Sequence, residues 1–216
     1  MANLTLDSFR RYVEPYATGV SYFELLFNTQ EVLRDFCART KCWQTLLAAF
    51  PTVAEQSDYT LTPPTGGLIS QVEEVYYIDN KVEFTPMDDL GHWYQQNWRT
   101  ISSGTPVWAT FMEPGILTLH NTPESVGNLY VRAAIIPDNT LTLAAVEFPD
   151  FIFTRWASQI ADGVLARLYN MPDKPYSDVK RADAKTVRYE QYVASVKIRV
   201  ARSFGRQELE TTPQFF

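Results

Sequence analysis

A long stripe of small and apolar residues in the last quarter of the chain places the strongest constraint on its fold. Its members follow one another at alternating steps of three and four residues, as one face of an α-helix requires. The period holds for more than three heptads. Because β-branched valine is a weak helix former, we expect packing along this face to stabilise the helix. The stripe consists of Val179, Ala182, Thr186, Tyr189, Val193, Val196, Val200 and Ser203.

A second stripe in the same segment is rich in basic residues and runs two residues further along. At 100° per residue, an offset of two residues is about 200°, which predicts that this stripe lies on the opposite face of the helix. A helix of about 26 residues would be ~39 Å long. The stripe is interrupted by Tyr192 and Ser195, and its basic members are Arg181, Lys185, Arg188, Arg199, Arg202 and Arg206.

Charge is distributed unevenly along the chain, whose formal net charge is −6. Residues 1–173 contain 10 Lys and Arg against 20 Asp and Glu, whereas residues 174–206 contain 9 against 3. This asymmetry indicates that the basic segment meets an acidic partner, although a solvated helix face is the simpler alternative.

The residues after Gly205 predict an extended C-terminal tail. Glu208 and Glu210 make it acidic, and it also contains Phe215 and Phe216. Pro213 prevents a return to helix. The two phenylalanine rings either remain in solvent, as frayed terminal segments usually do, or dock into a neighbouring protein.

Helical patterns also occur near the start of the chain and before the basic segment. A short helix is predicted over Leu4–Val13, and a second from Ser21, where Glu24 completes a capping box. A third is predicted after Pro149, with Ile152, Trp156, Ile160, Val164 and Leu168 on one face. For the second helix, the predicted apolar face consists of Phe23, Leu26, Phe27, Leu33, Phe36 and Cys37.

The middle of the chain has the pattern of β-structure. Short runs of β-branched and aromatic residues alternate with proline and glycine, and Asp79-Asn80 between two such runs predicts a hairpin. One further helix is predicted over 88–100.

Together these patterns predict an α+β fold in which N-terminal and C-terminal helices form a helical bundle. A β-rich, sandwich- or barrel-like domain is inserted in the middle. The predicted parts are the N-terminal helices 1–41, the β domain 42–148, the C-terminal helices 149–205 and the tail 206–216.

The sequence lacks the motifs of the common enzyme classes. It contains no phosphate-binding loop, dinucleotide fingerprint, zinc-protease motif or nucleophile elbow. Two His and two Cys offer little for a metal site, and Cys37 and Cys42 are interpreted as structural. His92 stands four residues after Asp88, a spacing that favours a surface contact over acid–base chemistry. We therefore expect no catalytic residue, no metal, no cofactor and no enzymatic activity.

Membrane insertion is also not expected. No window holds the roughly 18 to 20 apolar residues that a membrane span needs, and the first residues lack the pattern of a signal peptide.

The aromatic residues of the middle segment support an alternative function. Trp93, Trp98, Trp108 and Tyr130 would suit a module that binds a glycan or a tail protein of a virion, although core packing is the favoured explanation of such residues.

Four short motifs follow one another between residues 36 and 123. The first is F-C-x-x-T-x-x-W over Phe36–Trp43, and the second is a hairpin, V-Y-Y-I-D-N-K, followed by Phe84-Thr85-Pro86. Trp98 with Ser103-Gly104-Thr105-Pro106 forms the third, and Ile116–Leu119 with Pro123 the fourth. In this order, over roughly residues 5–205, they resemble the head-to-tail adaptor (connector, or neck) proteins of tailed bacteriophages. Asn80 and Asn121-Thr122 depart from the turns expected in that family.

The resemblance implies a non-enzymatic ring subunit, usually in twelve copies, that sits under the portal protein in the head–tail neck of the virion. It implies assembly in the host cytoplasm, helices that face the portal, and a β domain that faces a nozzle or tail-tube protein. DNA would only pass through the central channel. The C-terminal segment of such proteins commonly reaches the portal. The expected contacts with the portal or with other subunits are made by Arg181, Lys185, Arg188, Arg199, Arg202, Arg206, Phe215 and Phe216.

Overall fold

The computed structural model describes residues 3–85, 104–112 and 115–202, and it confirms the predicted α+β class. Its contacts divide the chain into two units. The first contains the described residues of Met1–Trp43 and Ile136–Phe216, and the second is formed by those of Gln44–Ile135. The bounds 42–148 predicted for an inserted β domain stay a prediction. The helices of the described residues are α1 (Arg10–Val13), α2 (Tyr22–Thr40), α3 (Asp150–Tyr169) and α4 (Val179–Ala201).

Helix α2 begins at the capping box that the sequence predicts. The Ser21 side chain accepts a hydrogen bond from the Glu24 backbone N–H, and the Glu24 carboxylate accepts one from the Ser21 N–H. Leu26, Leu33, Phe36 and Cys37 of the predicted face are buried. Phe23 and Phe27 are instead exposed and stack on each other, so the prediction for these two residues is wrong. Their spacing matches the helical period, but they lie at the edge of the face that contacts the other helices.

Helices α2, α3 and α4 pack on one another in the first unit. All five residues predicted for the packed face of α3 are buried, and Phe36 of α2 lies against Trp156 of α3 with ring centroids 5.7 Å apart. Helix α4 is capped by Asp178, whose side chain accepts a hydrogen bond from the Arg181 N–H. From the predicted apolar stripe of α4, the buried residues are Ala182, Tyr189, Val193 and Val196.

The start of the chain differs from the predicted helix over Leu4–Val13. Strand β1 (Asn3–Thr5) comes first, and a 3-10 turn (Leu6–Phe9) leads into α1. Strand β1 pairs antiparallel with Glu147–Pro149, where Leu4 is opposite Phe148. The partner strand is more than 140 residues away in sequence, and pairing with it holds the first residues extended.

The second unit contains an eight-stranded sheet that curls into a half-barrel. Its order is β2-β9-β5-β6-β7-β8-β4, with β3 also paired to β9. Strand β10 (Glu147–Pro149) belongs to the first unit. The sheet strands are β2 (Gln44–Leu46), β3 (Phe50–Pro51), β4 (Asp58–Thr60), β5 (Gly67–Tyr77), β6 (Asn80–Phe84), β7 (Trp108–Met112), β8 (Ile116–His120) and β9 (Asn128–Pro137).

The predicted hairpin joins β5 to β6, with Tyr77 opposite Asn80. Its two-residue loop is therefore Ile78-Asp79, one residue earlier than predicted. Ile78 has a φ of 56°, a left-handed conformation that is strained for a β-branched residue. The helix predicted over 88–100 lies outside the described residues.

Candidate interface

The basic stripe of α4 lies beside the packed face of the helix. Lys185 is half-buried, and its ammonium donates a hydrogen bond to Asp162 of α3. Arg188 Nε is 3.8 Å from the other oxygen of the same carboxylate. The prediction that the whole stripe lies opposite the packed face is therefore wrong for these two residues. The period of 3.6 residues explains it, since each basic residue is also only about 100° from its nearest apolar neighbour.

Asp162 is a buried carboxylate that links α3 to α4, and its side chain is only 9% exposed. A buried charge is strongly disfavoured unless it is paired and hydrogen-bonded, and Lys185 and Arg188 meet this need. A hydrogen bond with Tyr192, together with the charge of Asp162, raises the pKa of Arg188. Two cations thus share one anion, which leaves a local excess of positive charge on α4.

Gly163, the neighbour of Asp162, allows the helices to approach closely. A Cβ atom at this position would lie 2.7 Å from Val32 Cγ1 of α2 and 2.8 Å from Tyr189 Cδ2 of α4. Contacts of this length force the neighbouring groups to shift. The absence of a side chain at Gly163 thus lets α3 lie near enough to α4 for Asp162 to bond Lys185.

Lys185 and Arg188, the two cations that contact Asp162, also line an open pocket of about 410 Å³. Tyr169 is buried and donates a hydrogen bond of 3.0 Å to the backbone carbonyl of Tyr16. Tyr16 is 64% exposed, and Lys185 Nζ is 6.0 Å from the centroid of its ring. The pocket therefore combines aromatic surface with a basic rim. It is lined by Tyr16, Tyr169, Arg181, Ala184, Lys185 and Arg188.

The other basic residues of the stripe that the structure describes, Arg181, Arg199 and Arg202, are exposed. The Arg181 side chain is 70% exposed and its Nε lies 3.2 Å from Asp178 at the helix start. Arg199 and Arg202 are exposed at the other end of α4, and within the described residues neither forms an ion pair. Arg206, Phe215 and Phe216 lie outside the described residues. The stripe is thus an exposed basic surface with one end at the aromatic pocket.

Glu190, one of the two acidic residues within α4, forms an ion pair with Arg39 of α2. Arg39 donates a hydrogen bond of 2.9 Å to Glu190 Oε1 and another of 3.3 Å to Asp35, and Tyr189 Oη donates one of 2.9 Å to Asp35. The hydrogen bond from Arg39 lowers the pKa of Glu190. Because the charge of Glu190 is paired with α2, it offsets little of the positive charge on the basic stripe.

Other kinds of site find less support within residues 3–85, 104–112 and 115–202. No group of three or more His, Cys, Asp and Glu residues is arranged to hold a metal ion there. The two cysteines are buried free thiols with their sulfur atoms 4.0 Å apart. The contact with Cys42 and burial raise the pKa of Cys37, which disfavours its reactive thiolate form.

Within the same described ranges, none of the helices is long and apolar enough to cross a membrane.

The aromatic residues considered for a binding module are only partly described. Trp108 on β7 and Tyr130 on β9 are half-buried. Trp93 and Trp98 lie outside the described residues. Tyr130 lines a shallow pocket of about 280 Å³ together with the β5–β6 loop and residues 126–128.

The pocket depends on residues that sequence reasoning missed. Tyr16 precedes α2, whereas Asp162 and Tyr169 both belong to α3, and none of the three belongs to a recognisable motif. The sequence around Asp162 gives a weak indication of a buried ion pair, because an acidic residue within an apolar stretch of helix needs a cationic partner. Only the packing of α3 on α4 identifies that partner as Lys185.

A comparison with curated proteins finds no match to this chain. A family model described as SU10 adaptor protein matches residues 7–210. This match spans the described elements from the first 3-10 turn to the end of α4, and it agrees with the resemblance to phage head-to-tail adaptors. The chain belongs to the SU10 adaptor protein family.

Proposed function

We propose that this protein is the head-to-tail adaptor subunit of a tailed bacteriophage. Copies of it would form a ring, of twelve subunits as the family resemblance implies, which docks on the portal protein and connects it to the tail. The observation that carries this proposal is the family match over residues 7–210. Membership of a structural adaptor family supports a non-enzymatic component of the virion, and we infer that the ring assembles in the host cytoplasm.

The charge distribution supports assembly through the basic stripe. Arg181, Arg199 and Arg202 are exposed, whereas residues 1–173 contain twice as many acids as bases. Subunits of a closed ring contact each other through two different, complementary surfaces. We infer that the basic stripe of one subunit faces acidic surface on the next subunit or on the portal. In this arrangement the tail of residues 206–216, with Phe215 and Phe216, reaches the portal, as the resemblance implies.

The helices would form the portal-facing body of the ring and the β domain would face a nozzle or tail-tube protein. DNA would pass through the central channel without being bound. The acidic excess of residues 1–173 supports this, because a negatively charged wall repels the phosphate backbone and lets DNA slide.

The test is to mix the purified protein with the portal protein of the same phage. Mass photometry would give the stoichiometry, and electron microscopy would show whether a ring sits on the portal. We expect rings on the portal, and weaker portal binding when residues 206–216 are deleted. A protein that forms no complex with its portal would contradict the proposed function. Unchanged affinity of the deletion variant would contradict only the role of the tail.

A further inference from the structure

The aromatic pocket beside Asp162 has the properties of a docking site for a peptide that is both acidic and aromatic. It is lined by the exposed residue Tyr16, by the buried residue Tyr169 and by the small side chain of Ala184. Its rim carries Arg181, Lys185 and Arg188. A phenylalanine ring that entered the pocket would cover the Tyr16 ring, and aromatic pairs of this kind contribute energy beyond the area they bury.

The charge around the pocket favours an anionic ligand. Lys185 and Arg188 share the single carboxylate of Asp162, so the positive charge is not fully compensated. The basic stripe continues from the pocket to Arg199 and Arg202, which are exposed. A ligand that matches this surface would have an aromatic residue at the pocket and acidic residues towards the end of α4.

The tail of this same chain has that composition and polarity. Glu208 and Glu210 come first after Gly205, and Phe215 and Phe216 come later. A chain that reverses direction after α4 would therefore present its acids near Arg199 and its aromatic residues further back along the helix. Gly205 suits such a reversal, since glycine adopts left-handed conformations without strain.

The distances agree with this arrangement. The ten residues from Gly205 to Phe215 span about 33–36 Å when extended. Measured along the axis of α4, Lys185 lies about 26 Å from Arg202, and Arg181 lies about 32 Å from Arg202. An extended tail that ran antiparallel to α4 would place Phe215 at the pocket, and Glu208 and Glu210 between the levels of Arg199 and Arg188.

We propose that the tail folds back along the basic stripe of its own subunit and inserts Phe215 and Phe216 into the pocket formed by Tyr16, Tyr169 and Ala184. This inference goes beyond the proposed function and does not depend on the ring. A docked tail is unavailable to the portal until it leaves the pocket, so the free subunit would hold its portal-binding segment close to its own surface.

The test uses the full chain and a fluorescein-labelled peptide with the sequence of residues 206–216. The receptor is the full chain with Phe215→Ala and Phe216→Ala, which leaves the pocket empty. Fluorescence anisotropy should show peptide binding to this variant and at least tenfold weaker binding to the wild-type chain, whose own tail competes. No binding to the variant, or equal binding to both chains, would overturn the proposal.

Two matched substitutions locate the binding site. Ala184→Trp, made in the Phe215→Ala/Phe216→Ala background, fills the pocket and should reduce peptide binding at least tenfold. Ala194→Trp adds the same side chain at another exposed position of α4, outside the pocket, and should leave binding unchanged. Equal effects of the two substitutions would overturn the assignment of the pocket.

The competition by the wild-type tail should not depend on protein concentration, because a chain that docks on itself needs no second copy. Competition that appeared only at high protein concentration would place the tail in another subunit and overturn the proposal.

A peptide with Glu208→Lys and Glu210→Lys should bind at least fivefold more weakly at low ionic strength, with a smaller difference at high salt. Equal affinity of the two peptides at low salt would overturn the role of the basic stripe.

Discussion

Lys185 of α4 donates a hydrogen bond to Asp162 of α3, and this ion pair connects the packed interior of the first unit to its basic surface. The carboxylate is buried, whereas the Lys185 side chain is 26% exposed and lines the aromatic pocket. A change in Asp162 therefore affects both the packing of the helices and the charge of the candidate interface.

Asp162→Asn should lower the free energy of unfolding by about 2 kcal/mol. Removing one partner of a buried pair leaves the other partner poorly compensated, and the partial exposure of Lys185 keeps the loss below that of a fully buried pair. Urea denaturation measures the difference. Asp173→Asn, at an exposed position after α3, is the control and should change the stability by less than about 0.5 kcal/mol. If Asp162→Asn is as stable as the control, the ion pair contributes nothing to folding.

Gly163→Ala should destabilise the protein by about 2–3 kcal/mol, because the added Cβ would overlap Val32 and Tyr189. Thermal unfolding followed by circular dichroism measures the loss. Val32→Ala removes the closest of these atoms and should restore part of the stability of the Gly163→Ala protein. Gly104→Ala is a matched control, since its Cβ would meet nothing closer than 3.9 Å. Equal melting temperatures for the two glycine variants would contradict the close approach of the helices.

The parts of the fold that were predictable from the sequence are those set by local chemistry. The Ser21–Glu24 capping box and the five packed residues of α3 both follow from patterns within one helix. The β5–β6 hairpin was predicted because two runs of β-branched and aromatic residues flank a turn, although its loop lies one residue earlier than predicted.

The features that escaped prediction depend on residues distant in sequence. Strand β1 is extended because it pairs with Glu147–Pro149, and no pattern within Asn3–Thr5 reveals that partner. Phe23 fits the apolar period of α2, but the position of the neighbouring helices leaves it exposed. The pocket beside Asp162 requires three separate segments to meet. Periodicity identifies an apolar face, but it does not identify what packs against that face.

Glu24→Gln should reduce the dependence of stability on acid pH. Hydrogen bonds from Lys174 and Ser21 lower the pKa of Glu24 to about 2, well below its ordinary value near 4.5. A carboxyl group with a lowered folded-state pKa stabilises the protein above the unfolded pKa, and this contribution is lost as pH falls from about 5 towards 2.

Urea titrations at several pH values test this prediction. The Glu24→Gln protein should be less stable than wild type by about 1 kcal/mol at pH 7, mainly through loss of the ion pair with Lys174 and of the carboxylate in the capping box, and the difference should shrink below pH 4. Glu31→Gln is the control, because Glu31 has only a 3.7 Å contact with Arg167. A difference between Glu24→Gln and wild type that stays constant from pH 7 to pH 2 would contradict the lowered pKa.

Charge reversal at Arg199 should weaken assembly with the portal far more than the same change at Lys197. Both residues are exposed on α4, and they are two positions apart, so their side chains project about 200° from each other around the helix axis. Only Arg199 belongs to the basic stripe.

Biolayer interferometry at 50 mM salt measures the effect on portal binding. We expect Arg199→Glu to weaken this binding about tenfold, or about 1.4 kcal/mol. The control substitution Lys197→Glu should have little effect. The difference should shrink at 500 mM salt because ions screen exposed charges. Equal effects of the two substitutions would mean that overall charge, and not the basic stripe, governs assembly.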